Sequence, residues 1–549
     1  MLMLLAFNGQ WRIGLDSANY RGLADSLANG RGYTFGFWAP KAIYPGFPLM
    51  LAGLQKLFGT CVFVPCIIMN LMSAAILWLT YLLVRLHYTR WLAVAVVFGV
   101  GTNAMFLELA NELLTDIPFL LGEMIALYGW ERLRSAKRGD RKWKWIITLI
   151  VGLAIAAVTR PTFWILLVSW FLVCVWGLIR GPRKLSAIAL ATMAIVWISI
   201  LALDPRSHGF HILAGSPERE AMSLLSGGPE TVRALNKDSE PHAMPTTTAG
   251  ILWEKFHYVL HDQLPSAFFG ERVAPCSILA SLVVLASTLM LWRNPLWVLL
   301  IFITFAVTVL LSAEPRYYLM VLPLLALGWM LMLDGLLRIA PGKWGTLLFC
   351  GLTLLVEGNN IAHDVPIIIE QRSHPFLEHY RRGEYVPLIA LAEQIRQQLP
   401  VNANVLGPSA SVLSYLSGRH VWSQREIFDP DARPRVKILD YPHHMADLHF
   451  DAAVFPARLY WDKEPTIARL MDRRLVVATK TLYSSERLLL STVEIRIPPG
   501  DWRALPKPPP RIVHAPKRKK KKKRTTQPAT TTTTSATITA TPTPAATKP

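Results

Sequence analysis

Residues 144–180 read KWIITLIVGLAIAAVTRPTFWILLVSWFLVCVWGLIR. Two apolar stretches, 144–159 and 161–180, meet at Arg160-Pro161, and the second closes on Arg180. Each approaches the roughly 20 apolar residues a helix needs to cross a bilayer core. Comparable stretches occupy 60–86, 91–109, 113–130, 185–203, 275–292, 295–312, 316–334 and 344–358. The reading is therefore an α-helical polytopic membrane bundle of about ten spans. Residues 1–7, MLMLLAF, read as the tail of an eleventh span. A secretory signal fits them less well, because no basic n-region or clear cleavage site accompanies them. The shorter 46–58, GFPLMLAGLQKLF, reads as an interfacial or re-entrant helix.

Composition agrees. The 549 residues are 52% hydrophobic and 17% charged, with 19 Trp, against about 25% charged in soluble domains. This excludes a disordered chain or a collagen-like fibre and makes an ordinary soluble enzyme a poor fit. The formal charge is +20. Much of it lies in short loops and in the unbroken run Lys517–Arg524, so it is weak support for nucleic-acid binding, and no nucleic-acid partner is expected. The cysteines, 61, 66, 174, 276 and 350, lie in or beside apolar stretches, with no CxxC spacing.

Basic residues mark every second connection: Arg85 and Arg90, 131–144 (ERLRSAKRGDRKWK), 180–184 (RGPRK), Arg293, then Arg338 and Lys343. The positive-inside rule places these in the cytoplasm. The alternate connections, including 8–58 and 204–274, are then extracytoplasmic, as is everything after 358. Residues 1–359 form the membrane part. Residues 360–505 change texture and read as a small α/β domain. It has helices at 385–400 and 411–418, and strands at 402–407, 449–456, 473–480 and 486–497. The remainder, 506–549, is a basic, Thr/Ala/Pro-rich tail that cannot bury a core. It reads as a solubilising tail or as one drawn to anionic lipid or cell-wall polymer.

Four groups of residues on the outer side can carry chemistry. Asp16 stands at the start of the first outer loop, where a partly desolvated carboxylate can act as a base; a helix-cap role is the structural alternative. Lys41, just before Tyr44-Pro45-Gly46, suits a phosphate head group, or simply snorkels to the interface. In NELLTDIPFLLGEM (111–124), Glu112 and Asp116 are four apart and so share one helical face. Together they can face Asp16 and hold an acceptor or a divalent ion, while Asp116 and Glu123 fall within an apolar span. Arg316, opening AEPRYYLMVLPLLALG (313–328), can clamp a phosphate or anchor at the interface with Tyr317 and Tyr318. Arg160 is a further outward cation. A cluster of His443, His444, His449 and Asp451 lacks a recognised metal spacing and reads as surface histidines.

Taken in order, several pieces resemble the polytopic GT-C glycosyltransferases that use lipid-linked sugars, among them protein O-mannosyltransferases and the lipid A aminoarabinose transferases. The pieces are Asp16-x-x-x-Tyr20, Ala24-x-x-Leu27-x-x-Gly30, YPGFPLMLAG (44–53), NELLTDIPF (111–119), Arg160-Pro161, and Arg316-Tyr317-Tyr318 with Pro323. The resemblance covers about 8–335. Where several members carry two adjacent acidic residues, Asp16 is followed here by Ser17. The resemblance implies an inverting transfer, on the outer face of a bacterial inner membrane, from a polyprenyl-phosphate sugar to a hydroxyl of a protein, lipid or glycan acceptor. It makes Asp16 the base, Lys41, Arg316 and Arg160 the phosphate ligands, and Glu112 or Asp116 the acceptor-orienting group. No cofactor follows with certainty; a divalent cation is compatible. The alternative is a transporter or flippase of lipid-linked sugars, for which paired halves and midplane breaks are the expected signature.

Overall fold

The computed structural model of the chain describes residues 7, 14–34, 43–136, 141–180, 183–203, 248–269, 277–311, 315–339, 386–407, 410–422, 451–456, 476–484 and 488–495. It also describes isolated positions between 344 and 369. Lys41, the three histidines at 443, 444 and 449, residues 1–6, the 204–247 segment and the tail lie outside these.

Helices dominate. The first outer loop contributes α1 (Leu15–Ala28) and α2 (Gly46–Phe58). Gly14 caps α1, and the Ser17 hydroxyl accepts from the Gly14 N–H at 2.8 Å. The serine that replaces a second acidic residue thus closes the helix start. α3 (Phe63–Arg85) follows, then α4 (Arg90–Gly101), whose start is capped by the Thr89 hydroxyl accepting from the Leu92 N–H.

The stretch expected as one span at 91–109 is broken. α4 ends at Gly101, α5 (Ala104–Ala110) begins three residues later, and the two are bent by 67°. The cause is Asn103. Its Oδ1 caps α5 by accepting from the Phe106 N–H at 3.1 Å, and its Nδ2 donates to the carbonyls of Ala267 and Phe268. A side chain that satisfies the backbone of two segments fixes the bend.

α6 (Asp116–Ser135) and α7 (Lys142–Thr159) pack along their length. Glycines permit it. A Cβ at Gly122 would stand 2.6 Å from the Ala156 nitrogen, and one at Gly129 would stand 2.8 Å from the Leu149 nitrogen. Gly152 meets the Ala126 backbone in the same way. Small residues at such crossings let helix backbones approach closely in a membrane. α8 (Phe163–Arg180) and α9 (Arg183–Leu203) continue the bundle, followed by α10 (Thr248–Tyr258), a π turn at Val259–Gln263, and α11 (Leu264–Phe269). α12 (Ser277–Ser287) runs into a 3-10 turn, Thr288–Leu291, before α13 (Pro295–Leu311). The expected span at 316–334 opens as a 3-10 turn, Pro315–Val321, and continues as α14 (Leu322–Ile339). Its Pro323 falls in the first α-helical turn, where a missing N–H costs least.

Among the described residues, four helical stretches are long and apolar enough to cross a membrane: Phe63–Arg85, Lys142–Thr159, Phe163–Arg180 and Pro315–Leu336. The bent α4–α5 pair makes a fifth if counted as one. This is fewer than the ten stretches read from hydropathy. α12 with its 3-10 turn and α13 are apolar but short, and α6 carries Asp116, Glu123, Glu131, Arg132 and Arg134.

The C-terminal region contributes α15 (Val386–Gln398), β1 (Asn404–Leu406), α16 (Ala410–Ser417), β2 (His420–Trp422), β3 (Ala452–Pro456), β4 (Val476–Ser484) and β5 (Leu488–Ile495). They build one sheet in the order β2-β1-β3-β5-β4. β1 runs parallel to β2 and β3, and β5 is antiparallel to β3 and β4. Gly418, at φ +66°, ends α16 in the left-handed conformation that favours glycine. Leu391, Ile395, Val405, Leu413, Val421, Val454 and Leu490 form the sheet's own core. Asp451, read beside the histidines, serves the sheet: its Oδ2 accepts from the Asn404 N–H at 2.9 Å.

At the Ser135 end of α6, Glu131 is 1% exposed and tied both from its own helix and from the residues just past α3. His87 Nε2 lies 3.0 Å and Arg134 Nη2 2.8 Å from its Oε2, while Arg134 also donates to Asn294 Oδ1 at 2.6 Å.

Candidate active site

The site forms at the other end of α6, where α1, the loop between α7 and α8, and the 3-10 opening of α14 converge. Asp16 lies in the first turn of α1, which Gly14 rather than Asp16 caps. Its Oδ2 accepts from Arg316 Nη2 at 2.9 Å, across 300 residues of sequence. Both side chains keep contact with solvent, at 44% for Asp16 and 25% for Arg316.

The second pair is Asp116 with Arg160. Asp116 starts α6, where a carboxylate also gains from the helix dipole. Arg160 ends α7 in extended backbone, so its side chain leaves the helix axis and reaches Asp116. Its guanidinium also stacks over the Tyr317 ring, 5.0 Å from the centroid. This pair is the more enclosed one, at 2% exposure for the carboxylate and 12% for the arginine.

Tyr20 stands between the pairs. It is one turn along α1 from Asp16, its hydroxyl lies 3.4 Å from Thr115 Oγ1, and its ring packs edge-on against Phe47 of α2. Burial, then the nearby Asp16 charge, push its phenol up to about 12. It therefore stays neutral and can donate a hydrogen bond. Asp116, Phe119, Arg160, Thr162, Arg316, Tyr317, Leu319 and Met320 line a cleft of about 210 Å³. Polar groups of both signs thus meet an apolar wall.

The structure brings together Asp16, Asp116, Arg160 and Arg316. It does not put Glu112 on the same helical face as Asp116. Asn111 ends α5, its Nδ2 donating to the Leu107 carbonyl, and the chain turns through 111–115 before α6 starts at Asp116. Glu112 is in that turn, so the i,i+4 relation has no helix to act through. Glu123, seven residues along α6 and about 10 Å deeper, is fully buried, and neither carboxyl oxygen has a hydrogen-bond partner among the described residues. Among the described residues no three His, Cys, Asp or Glu side chains converge to hold a metal ion. Sequence reading passed over the role of Tyr20 between the pairs, and over Thr115 and Thr162. The Asp16-x-x-x-Tyr20 spacing, which puts both on one face of α1, is the signal that could have found Tyr20.

No protein-family model and no curated protein matches the chain. Solved structures do. ArnT from Cupriavidus metallidurans, solved bound to undecaprenyl phosphate, aligns with a TM-score of 0.56 at 12% identity, over 89% of this chain and 96% of that one. The oligosaccharyltransferase of Archaeoglobus fulgidus in its apo form aligns at 0.57 and 13%, over 85% of this chain and 70% of that one. Its complex with Zn and sulfate gives 0.56 at 13%, over 84% and 68%. The chain therefore shares the fold of these proteins.

Proposed function

We propose that this chain is an integral membrane glycosyltransferase that moves a sugar from a polyprenyl-phosphate donor to an acceptor hydroxyl. The observation that carries the reading is the pair of Asp–Arg contacts, Asp16–Arg316 and Asp116–Arg160, set at one cleft. The likeness to ArnT, whose structure holds undecaprenyl phosphate, supports the donor class. An archaeal oligosaccharyltransferase tethered to an acceptor peptide shares the fold, which is compatible with a peptide acceptor as well as a lipid or glycan one.

In the proposed reaction Asp16 takes the proton of the acceptor hydroxyl. The oxygen attacks the anomeric carbon, the bond from that carbon to the phosphate oxygen breaks, and polyprenyl phosphate leaves with the electron pair. The configuration inverts. Arg316 and Arg160 offset the growing negative charge, which is largest in the transition state. Lys41 joins them as a phosphate ligand, and Asp116 or Glu112 orients the acceptor. The membrane part, 1–359, would carry the chemistry at the extracytoplasmic face of a bacterial inner membrane, with residues 360–505 on the same side.

The test is release of polyprenyl phosphate and sugar transfer from a panel of labelled polyprenyl-phosphate sugars, with and without divalent cation, by wild type and Asp16→Asn. Turnover by wild type and its collapse in Asp16→Asn supports the base. Equal rates would move the base to Asp116 or Glu112. Binding of donor without any turnover would favour a transporter.

A further inference from the structure

α1 is loaded on two sides. Asp16 and Tyr20, four residues apart, meet Arg316 and Thr115 on one side. Arg21 and Asp25, also four apart, follow about 140° further round the helix. Arg21 is 1% exposed. Its Nη2 donates to the Thr60 carbonyl, just past the end of α2, at 3.1 Å, and its Nε lies 3.4 Å from Asp25 Oδ1. Gln55 of α2 lies close to Asp25 as well. On this side α1 meets α16, from the C-terminal sheet. There the Tyr415 phenol lies close to the Arg21 guanidinium. Val412 of α16 is buried in the same apolar core as Ala18 and Ala24 of α1, and Leu416 packs against both that core and the sheet's own.

One buried guanidinium thus knots three separate stretches of chain: α1 itself, the end of α2, and α16. The knot adds a polar tie to a helix that α2 and the apolar core already hold through Ala18, Leu23 and Ala24. A 14-residue helix is marginal in water on propensity alone. A buried guanidinium is costly to leave uncompensated; here Asp25 balances its charge and the Thr60 carbonyl takes up Nη2, while Nε and Nη1 have no hydrogen-bond partner among the described residues.

We infer that Arg21 and Tyr415 are positioning residues, through which the C-terminal α/β part clamps α1 and sets where Asp16 stands against Arg316 and the cleft. The inference rests on the reading of Asp16 as the base. Tyr415 touches neither pair at the cleft in this account; it acts through Arg21, and Arg21 acts through the helix they share with Asp16.

The experiment uses the full chain in detergent micelles, as Arg21→Gln and as Tyr415→Phe. The second removes a single oxygen and keeps the test alive if the first fails to fold. Two quantities are read: amide hydrogen exchange across residues 15–28, and the kinetics of sugar transfer. Exchange of α1 should rise in both variants. The turnover number should fall about tenfold, as for displacement of a reacting group by a fraction of an ångström, with KM for the donor changed less than about twofold. In an Asp16→Asn background the same substitutions should cost nothing further, because the group they position is gone. Unchanged α1 exchange in the variants overturns the clamp. Raised exchange with wild-type turnover, or losses that multiply with Asp16→Asn, overturn the positioning role. If wild type turns over no donor, the transfer reading falls by itself, and the exchange measurement decides the clamp alone.

Discussion

The two ends of α6 use the same chemistry to opposite effect. At the Ser135 end, Glu131 receives His87 and Arg134, and Arg134 passes on to Asn294. The His87 ring also packs edge-on against Trp297, 5.5 Å between centroids. One carboxylate is held by two groups, one from its own helix and one from just past α3. At the Asp116 end each carboxylate meets one arginine, and both arginines line a cleft. A guanidinium offers five N–H groups and one carboxylate engages at most two in a fork. The first arrangement is saturated and ties connections together. The second is held in shape yet can take another anion. What separates a staple from a site here is not charge or burial but how many partners each carboxylate has already taken.

Three substitutions bear on that contrast, in falling order of effect. Asp16→Asn should lower sugar transfer by about 10³-fold, the range of a lost general base. Its thermal unfolding in detergent should barely move, since a pair this exposed contributes under about 1 kcal/mol. A Tm drop that matches the activity loss would make the pair a staple after all. Arg160→Gln strands Asp116 at 2% exposure, which should cost about 3–5 kcal/mol of stability and weaken donor binding, read as unfolding midpoint and donor KM. Glu131→Gln should cost about 1–3 kcal/mol of stability while transfer by the folded fraction stays at wild-type level. Lost transfer there would erase the distinction between the two ends.

The smallest effect is one of pH and lies outside both ends. Burial holds the His420 imidazole below its ordinary 6.5. The unfolded chain then binds a proton that the folded sheet refuses, so stability falls as pH drops below about 6.5. Above that value the group contributes no slope. Unfolding midpoints at about pH 7.5 and 5.5 should differ more in wild type than in His420→Gln; equal slopes would discard the assignment.

Much of the architecture could be read from local composition. Hydropathy found α3, α7, α8 and the start of α14, because a span is a property of consecutive residues. In the C-terminal part, 402–407, 449–456 and 486–497 read as strands and contain β1, β3 and β5, and 473–480 covers the first half of β4. β2, three residues after Gly418-Arg419, is too short to show a period. Breaks were harder. Asn103 and Asn111 stop helices through side-chain bonds to backbone, and a hydropathy window does not register an amide that caps. That is why 91–109 read as one span and Glu112 as a helical neighbour of Asp116. The candidate site was legible as a list and not as a pairing. Asp16 and Arg316 are 300 residues apart, and no local pattern says which arginine meets which carboxylate.

The glycine crossing of α6 and α7 has a consequence for how this molecule would look to a geneticist. Gly122 and Gly152 bring the two backbones together in the middle of the pair. From that fulcrum Asp116 is about 9 Å away along one helix and Arg160 about 12 Å along the other. Any methyl group that spreads the helices is carried outward by those two arms and appears as a gap between the charges. A screen for lost activity would then score two residues without side chains alongside the carboxylates, although neither glycine lines the cleft.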